Sequence, residues 1–451
     1  MPVSAMRQSP HARFQDVVVS FRADPKGPRI GRPFVGFSYE KSQMSGGFFS
    51  SGNEVLVRLF NDLGPGILRI GGNSVDKTFW QPGAPASRSG AVTEADVDAL
   101  GTFLAATGWT VLYGLNLARN TPAGAAQEAA YAARILGPHL YAFEIGNEPD
   151  AYSLNGTRPA TYTYRDFLVE WGAFADSVSR AAPQVMLSGP ASAWHEASWT
   201  EPFAGDESRR ITLLTQHYYR ANGLSPQSTL ALLLAGDPAL PGLLAGLREA
   251  STRAGLPLGY RLTEANSFYD GGAPNISNTF GAALWALDFL FIAAACGASG
   301  VNLHGGGAAP GYTPIADDGR TVIQIRPEYF AMLFFTLVGE GKLVHAAQRL
   351  GRLAVSTYLV QKGSQRRLLI ANKDPLEGVN IVLPEDFISE GIEVTRLSAP
   401  SLTSTQDVTI NGESPSNTGV WPRSPHRMER LKPGTRVFPV APGSALLVFF
   451  A

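Results

Sequence analysis

The sequence predicts an α/β protein, a closed (β/α)8 barrel joined to an all-β sandwich. Three observations carry this reading. From Phe34 to about Gly341 short apolar runs alternate with helical patterns eight times, the rhythm of a parallel sheet with crossover helices. After Glu340 the pattern changes to the two-residue alternation of half-buried strands, with Gly, Pro and Asn turns between them. The chain has 451 residues, more than one hydrophobic core usually organises, so a second module is expected.

Taken in order, the first segment is FQDVVVSFRAD from Phe14. It reads as a strand that precedes the barrel and needs a sheet partner, so it is expected to join the C-terminal sandwich. The eight barrel strands are FVGFSYE from Phe34, GILRIGG from Gly66, TVLYGLNL from Thr110, LYAFEIGNE from Leu140, QVMLSGPAS from Gln184, ITLLTQHYY from Ile211, LGYRLTEAN from Leu258 and SGVNLHGG from Ser299. Helix-like stretches such as EVLVRLFNDL, EADVDALGTFLAAT and YRDFLVEWGAFADSVSRAA lie between them. The fifth unit is the weakest, because no clear helix follows Pro190. Eight units over roughly three hundred residues suit a closed barrel with long loops better than an open dinucleotide-binding sheet. The sandwich strands are LAVSTYLVQ, RRLLIAN, VNIVLP, IEVTRLSA and SALLVFF. The expected organisation is a joining strand in residues 1–30, the barrel in 31–341 and the sandwich in 342–451.

With 44% hydrophobic and 17% charged residues the chain has the composition of a folded globule. A formal net charge of -1 and the lack of a long basic block exclude nucleic acid as an obligate partner and favour a small or neutral ligand. The single cysteine, Cys296, rules out an intramolecular disulfide and a Cys-rich metal site; in the apolar run FIAAAC it reads as a buried structural thiol. The seven histidines form no HExxH pair, so neither a metal nor another cofactor is expected. The apolar stretch Thr279 to Gly297 contains Asp288 and leads into a strand, which marks a barrel helix rather than a membrane span. The N-terminus MPVSAMRQSPHARF lacks the apolar centre of a signal peptide, so a soluble protein is expected, either cytoplasmic or exported with its leader removed.

Polar residues gather at the C-terminal ends of the barrel strands, the face where barrels place their chemistry. Glu148 ends the fourth strand and Glu264 the seventh. Cleaving a glycosidic bond takes one carboxyl to protonate the departing oxygen and another to attack carbon or activate water. A lone strand-end glutamate can equally cap the next helix or pair with an arginine. The surrounding text, EIGNEPD at Glu148 and RLTEANS at Glu264, decides between these readings. Together with GFSYEKS, LRIGGNS, YGLNLARN, QHYYRANG, TEANSFYD and LHGGG, in preserved order from Gly36 to Tyr312, it resembles glycoside hydrolase family 79, which contains β-glucuronidases and heparanases.

The resemblance implies a retaining, exo-acting β-glucuronidase, with Glu148 as acid/base, Glu264 as nucleophile and Asn147 bonded to the sugar 2-hydroxyl. His217 and Tyr219 share one face of the sixth strand by period two, and by the resemblance they line the site and orient the nucleophile. Glu40 either accepts sugar hydroxyls or pairs with Lys41 or Arg69. Asn73 and Ser74 follow the double glycine after the second strand and are candidate sugar contacts. Tyr269, Gly311 and Tyr312 match the places where tyrosine hydroxyls and a backbone amide hold the uronic carboxylate. The triplet Gly305 to Gly307 is no phosphate loop, since no GKS or GKT follows it. Two rival readings stand: a heparanase-like endo-hydrolase, and a catalytically silent carbohydrate-binding protein. The first calls for basic clusters along a cleft, whereas Arg366 and Arg367 fall in the sandwich; the presence of both glutamates argues against the second.

Overall fold

Eight parallel strands close on themselves, each paired to the next in chain order and the last, Val301–Gly305, paired back to the first, Val35–Glu40. The others are Ile67–Gly71, Thr110–Leu115, Leu140–Ile145, Leu187–Ser192, Ile211–Asn222 and Tyr260–Tyr269. The computed structural model describes residues 13–22, 27–84, 90–348, 353–385, 387, 391–416, 418–422, 424 and 427–450. Residues 1–12, and Ala23 and Asp24 at the end of the first predicted strand, lie outside them.

The strands read as unbroken apolar runs because both their faces are covered, by packed side chains inside the barrel and by helices outside. Helix Glu54–Leu63 shows how the helical layer is specified. Its buried Leu56, Leu59, Phe60 and Leu63 fall at i, i+3, i+4 and i+7, and the Asn53 side chain caps it by accepting from the Leu56 amide. Phe60 then packs against Trp109 and Phe37, with ring centroids 4.4 and 4.8 Å away. Thr163 and Asp166 form a capping box that starts Tyr164–Ala181. The fifth unit was faint in the sequence because its helix, Glu201–Asp206, has only 6 residues and follows a single wide turn at Glu196–Thr200.

Helix Phe280–Ala295 is buried almost all round and carries Asp288, which pairs with Lys373 of the sandwich and accepts from the Tyr358 hydroxyl at 2.6 Å. The charge that marks this apolar stretch as a barrel helix thus also ties the two layers together. Among the described residues no helix is long and apolar enough to cross a membrane. Cys296, expected to be buried, is only half-buried at the end of this helix, and partial burial pushes its thiol up.

The second layer is an 11-stranded sheet. Phe14–Arg22 lies within it, antiparallel to Gly341–Gln348 and parallel to Gly378–Val382, so both ends of the chain meet in one sheet. Val17 and Val19 face its core while Val18 between them is 65% exposed, the alternation expected of a one-sided strand. Gly341–Gln348 had not been singled out as a strand; it begins where the barrel pattern ends and also pairs with Arg29–Ile30.

Candidate active site

Strand Leu140–Ile145 delivers Glu148 through a tight turn. Gly146 adopts φ 84° and Glu148 itself φ 51°, a left-handed conformation that non-glycine residues rarely hold and that clusters at functional sites. Two contacts fix the turn. The Glu148 amide donates to Ala191 O at 2.9 Å, and the buried Asp76 carboxylate accepts from the amides of Leu117, Ala118 and Asn147 and from the Tyr152 hydroxyl.

Glu264 sits inside strand Tyr260–Tyr269, paired in register with His217 on the neighbouring strand. One oxygen of Glu148, one of Glu264 and a ring nitrogen of His217 all lie within 4.8 Å of one another. His217 Nδ1 meets Glu148 Oε1 at 2.9 Å, and the Tyr219 hydroxyl donates to Glu264 Oε1 at 2.8 Å. Among the described residues this trio is the set of carboxylates and histidines close enough to share an ion. Arg69 already neutralises Glu264 at that place.

Arg69, wholly buried, is the hub beneath both glutamates. It donates to Glu144 Oε2 at 2.5 Å, Glu264 Oε2 at 2.7 Å, Asn147 Oδ1 at 2.8 Å and Ser38 Oγ at 3.1 Å. Four strands are thereby clamped by one guanidinium, whose planar fork of donors suits such a node.

The two carboxyls are driven apart in acidity. Burial pushes the Glu148 carboxyl up, and the negative charges of Glu264 and Asp150 add to this against the lowering hydrogen bond from His217. Burial also disfavours ionisation of Glu264, but His304, His217, Arg69 and the Tyr219 hydroxyl together override it and hold Glu264 well below the usual carboxylate range. One group is poised as an acid and the other as an anion.

The remaining predicted residues are placed unevenly. Glu40 pairs with neither Lys41 nor Arg69: Lys41 is buried against Glu128 at 2.5 Å, and Glu40 instead accepts from the amides of Asn73 at 3.1 Å and Ser74 at 2.6 Å. That turn explains the glycine before it, since a Cβ on Gly72 would fall 2.6 Å from the Glu40 carboxyl carbon. Ser74 is held in the same turn, its hydroxyl accepting from the Ser42 amide at 3.0 Å, while Asn73 Oδ1 lies 3.5 Å from the side-chain Nδ2 of Asn147.

Glu40 and Tyr312 also line a cavity of about 380 Å³ with Gln43, His304 and Asp317. Tyr312 stands 5.9 Å, ring to ring, from both Tyr219 and His304, and Tyr269 packs 5.9 Å from Trp194. The Gly311 amide, expected to face the substrate, donates to Ala309 O at 2.7 Å in this structure. Gly311 has a packing role as well: a Cβ there would reach within 1.8 Å of Gly271 O, so glycine lets the loops after Tyr269 and before Tyr312 touch. A larger cavity, about 880 Å³, opens between Arg32, Glu340 and Arg430, at the barrel's junction with the sheet layer and away from the glutamates.

Sequence reasoning missed Arg69 as the hub, with Glu144, Ser38, His304, Asp76 and Asp150. A signal existed. Arg69 in ILRIG and Glu144 in AFEI are charges inside apolar barrel strands, where only a buried partner makes them tolerable.

A closed (β/α)8 barrel with an attached β-layer and two facing glutamates at its C-terminal rim is the architecture of a glycoside hydrolase barrel. No protein-family model matches the chain. It is similar to a β-glucuronidase of Aspergillus niger, 28% identical over 280 residues, which cover 53% of this chain and 50% of that protein. It is also similar to a β-glucuronidase of Neurospora crassa, 29% identical over 218 residues, covering 43% of this chain and 39% of that one. The matched regions thus span half or less of each relative. Among solved structures it superposes on a 4-O-α-L-rhamnosyl-β-D-glucuronidase from Fusarium oxysporum with TM-score 0.78 and 19% identity, over 96% of this chain and 99% of that one. A family 51 arabinofuranosidase from Xanthomonas axonopodis gives TM-score 0.70 and 18% identity, over 97% and 100%. These structures share the fold, and the sequence relatives agree with the resemblance carried by the motifs.

Proposed function

We propose that this chain is a retaining, exo-acting β-glucuronidase. The observation that carries the proposal is the pair Glu148 and Glu264, with oxygens within 4.8 Å and acidities displaced in opposite directions. Retention needs carboxyls about 5 to 5.5 Å apart, because a wider gap leaves room for direct attack by water. Glu264, an anion steered by Arg69 and Tyr219, attacks the anomeric carbon while Glu148, still protonated, gives its proton to the departing oxygen. Glycosylation removes the negative charge of Glu264, which lowers the pKa of Glu148, so that it ionises and can take a proton from the incoming water. Asn147, oriented by Arg69, is placed to bond the sugar 2-hydroxyl as charge develops at the ring.

The names of the two sequence relatives support a glucuronide as substrate. Exo action is favoured over endo because, His304 aside, the cavity beside Tyr312 is lined by neutral and acidic groups, with no lysine or arginine among the described residues of its lining to hold a sulfated polymer. Release of the chromophore from an aryl β-glucuronide, compared with cleavage of heparan sulfate fragments, tests both points. Turnover of the first alone supports the proposal; cleavage of internal bonds in the polymer would replace it with the endo reading, and turnover of neither would leave a binding protein.

A further inference from the structure

Trp194 is a large apolar residue on a loop of the barrel mouth, and its ring contact with Tyr269 leaves it 48% exposed. Its backbone is held firmly. Asp150, itself buried, accepts from the amides of Ala193, Trp194 and His195 at 2.9, 3.0 and 3.1 Å and from the His195 ring at 3.1 Å. Asp150 lies two residues past Glu148, and the Glu148 amide donates to the carbonyl of Ala191, near the end of the strand that leads into this loop. The indole is therefore carried by a segment that is tied, backbone to side chain and backbone to backbone, to the turn that holds Glu148. Beside it stands Tyr269, whose carbonyl accepts from Gly223 at 2.9 Å, and next to Gly223 comes Leu224, 74% exposed. Loops after the fifth and sixth strands thus each carry an exposed apolar residue on a segment that touches Tyr269, the first through the indole and the second through the Gly223 backbone.

We propose that Trp194, with Leu224 at its margin, forms an aglycone subsite that selects apolar, ring-bearing leaving groups. The inference rests on the glucuronidase reading above and adds the identity of the leaving-group side. An indole held by a fixed loop offers a broad stacking face at little ordering cost, and such ring contacts are worth a roughly two- to tenfold preference.

The test measures kcat/KM of wild type, Trp194→Ala and Trp194→Phe on 2-naphthyl and methyl β-glucuronide. Dividing each variant's naphthyl-to-methyl ratio by that of wild type cancels the difference in leaving-group chemistry. The expected result is a fall in this ratio of roughly five- to tenfold for the alanine variant, with most of it regained by phenylalanine. An unchanged ratio, with both substrates losing equally, would overturn the subsite and make Trp194 a structural residue. If wild type turned over no β-glucuronide at all, the glucuronidase reading itself would fall, and the subsite with it.

Discussion

Arg69 donates from Nη1 to Oε2 of Glu264 at 2.7 Å, and neither side chain is more than 9% exposed. Removing one partner of a buried pair leaves an uncompensated charge, which typically costs about 3 to 5 kcal/mol. Arg69→Met is expected to lose stability of that order at neutral pH, measured by urea unfolding. The sign of its pH dependence follows from Glu264. A carboxyl held below its unfolded value contributes stability above the unfolded pKa and loses it as pH falls. The gap between wild type and variant should therefore be widest at neutral pH and narrow on acidification; a constant gap would mean that Arg69 acts through packing alone.

Glu148→Gln and Glu264→Gln should each abolish most turnover; Glu148→Gln should leave the unfolding transition in place, whereas Glu264→Gln, which takes from Arg69 one of its two carboxylates, should lower it while the protein still folds. Leaving groups separate the roles. Glu148→Ala should still be glycosylated by substrates whose leaving group needs no proton, and azide should then rescue deglycosylation, whereas Glu264→Ala cannot form the normal intermediate. Identical behaviour of the two alanine variants would reject the assignment.

The pH profile of kcat/KM is expected to be a bell with a broad top. Its acid limb reports Glu264, which must be ionised and is held low; its basic limb reports Glu148, which must be protonated and is pushed up by burial. His217 stabilises the charged form of Glu148 through the 2.9 Å contact at Nδ1. His217→Phe should accordingly move the basic limb to higher pH, and a shift to lower pH would show that the histidine acts otherwise.

Tyr269→Phe and Tyr312→Phe test recognition of the uronic carboxylate. A hydrogen bond to a charged acceptor is worth about 1.5 to 3 kcal/mol, so each variant should lose roughly ten- to a hundredfold in kcat/KM on a β-glucuronide. Loss on the matched β-glucoside should be much smaller, since that substrate has no carboxylate. Because the Gly311 amide is spent on Ala309 O, the tyrosines are expected to carry the larger share. Equal proportional losses on both substrates would make them wall residues.

The strands and most helices were legible because burial on both faces writes continuous apolar runs and one-sided burial writes alternation. Val17, Val18 and Val19 illustrate the limit: three valines in a row mark a strand but hide which of its faces is buried, which only the sheet reveals. The glutamates were legible because each lies in a distinctive motif, although Glu148 falls in a turn past its strand and Glu264 within its own. What stayed hidden was the set of long-range partners. Nothing in LRIGG states that Arg69 reaches Glu144, 75 residues on, and Glu264, 195 residues on, since closure of the barrel sets those distances. The sequence left open whether Glu40 pairs with Lys41 for the same reason, as Lys41 finds its partner in Glu128 on a distant helix.

The most direct test of double displacement at Glu148 and Glu264 is the configuration of the first product. Proton NMR during rapid hydrolysis of a β-glucuronide, before mutarotation equalises the anomers, should show β-glucuronic acid appearing first and the α-anomer growing in only later. Initial appearance of the α-anomer would mean that water attacks directly, and would contradict a covalent intermediate on Glu264.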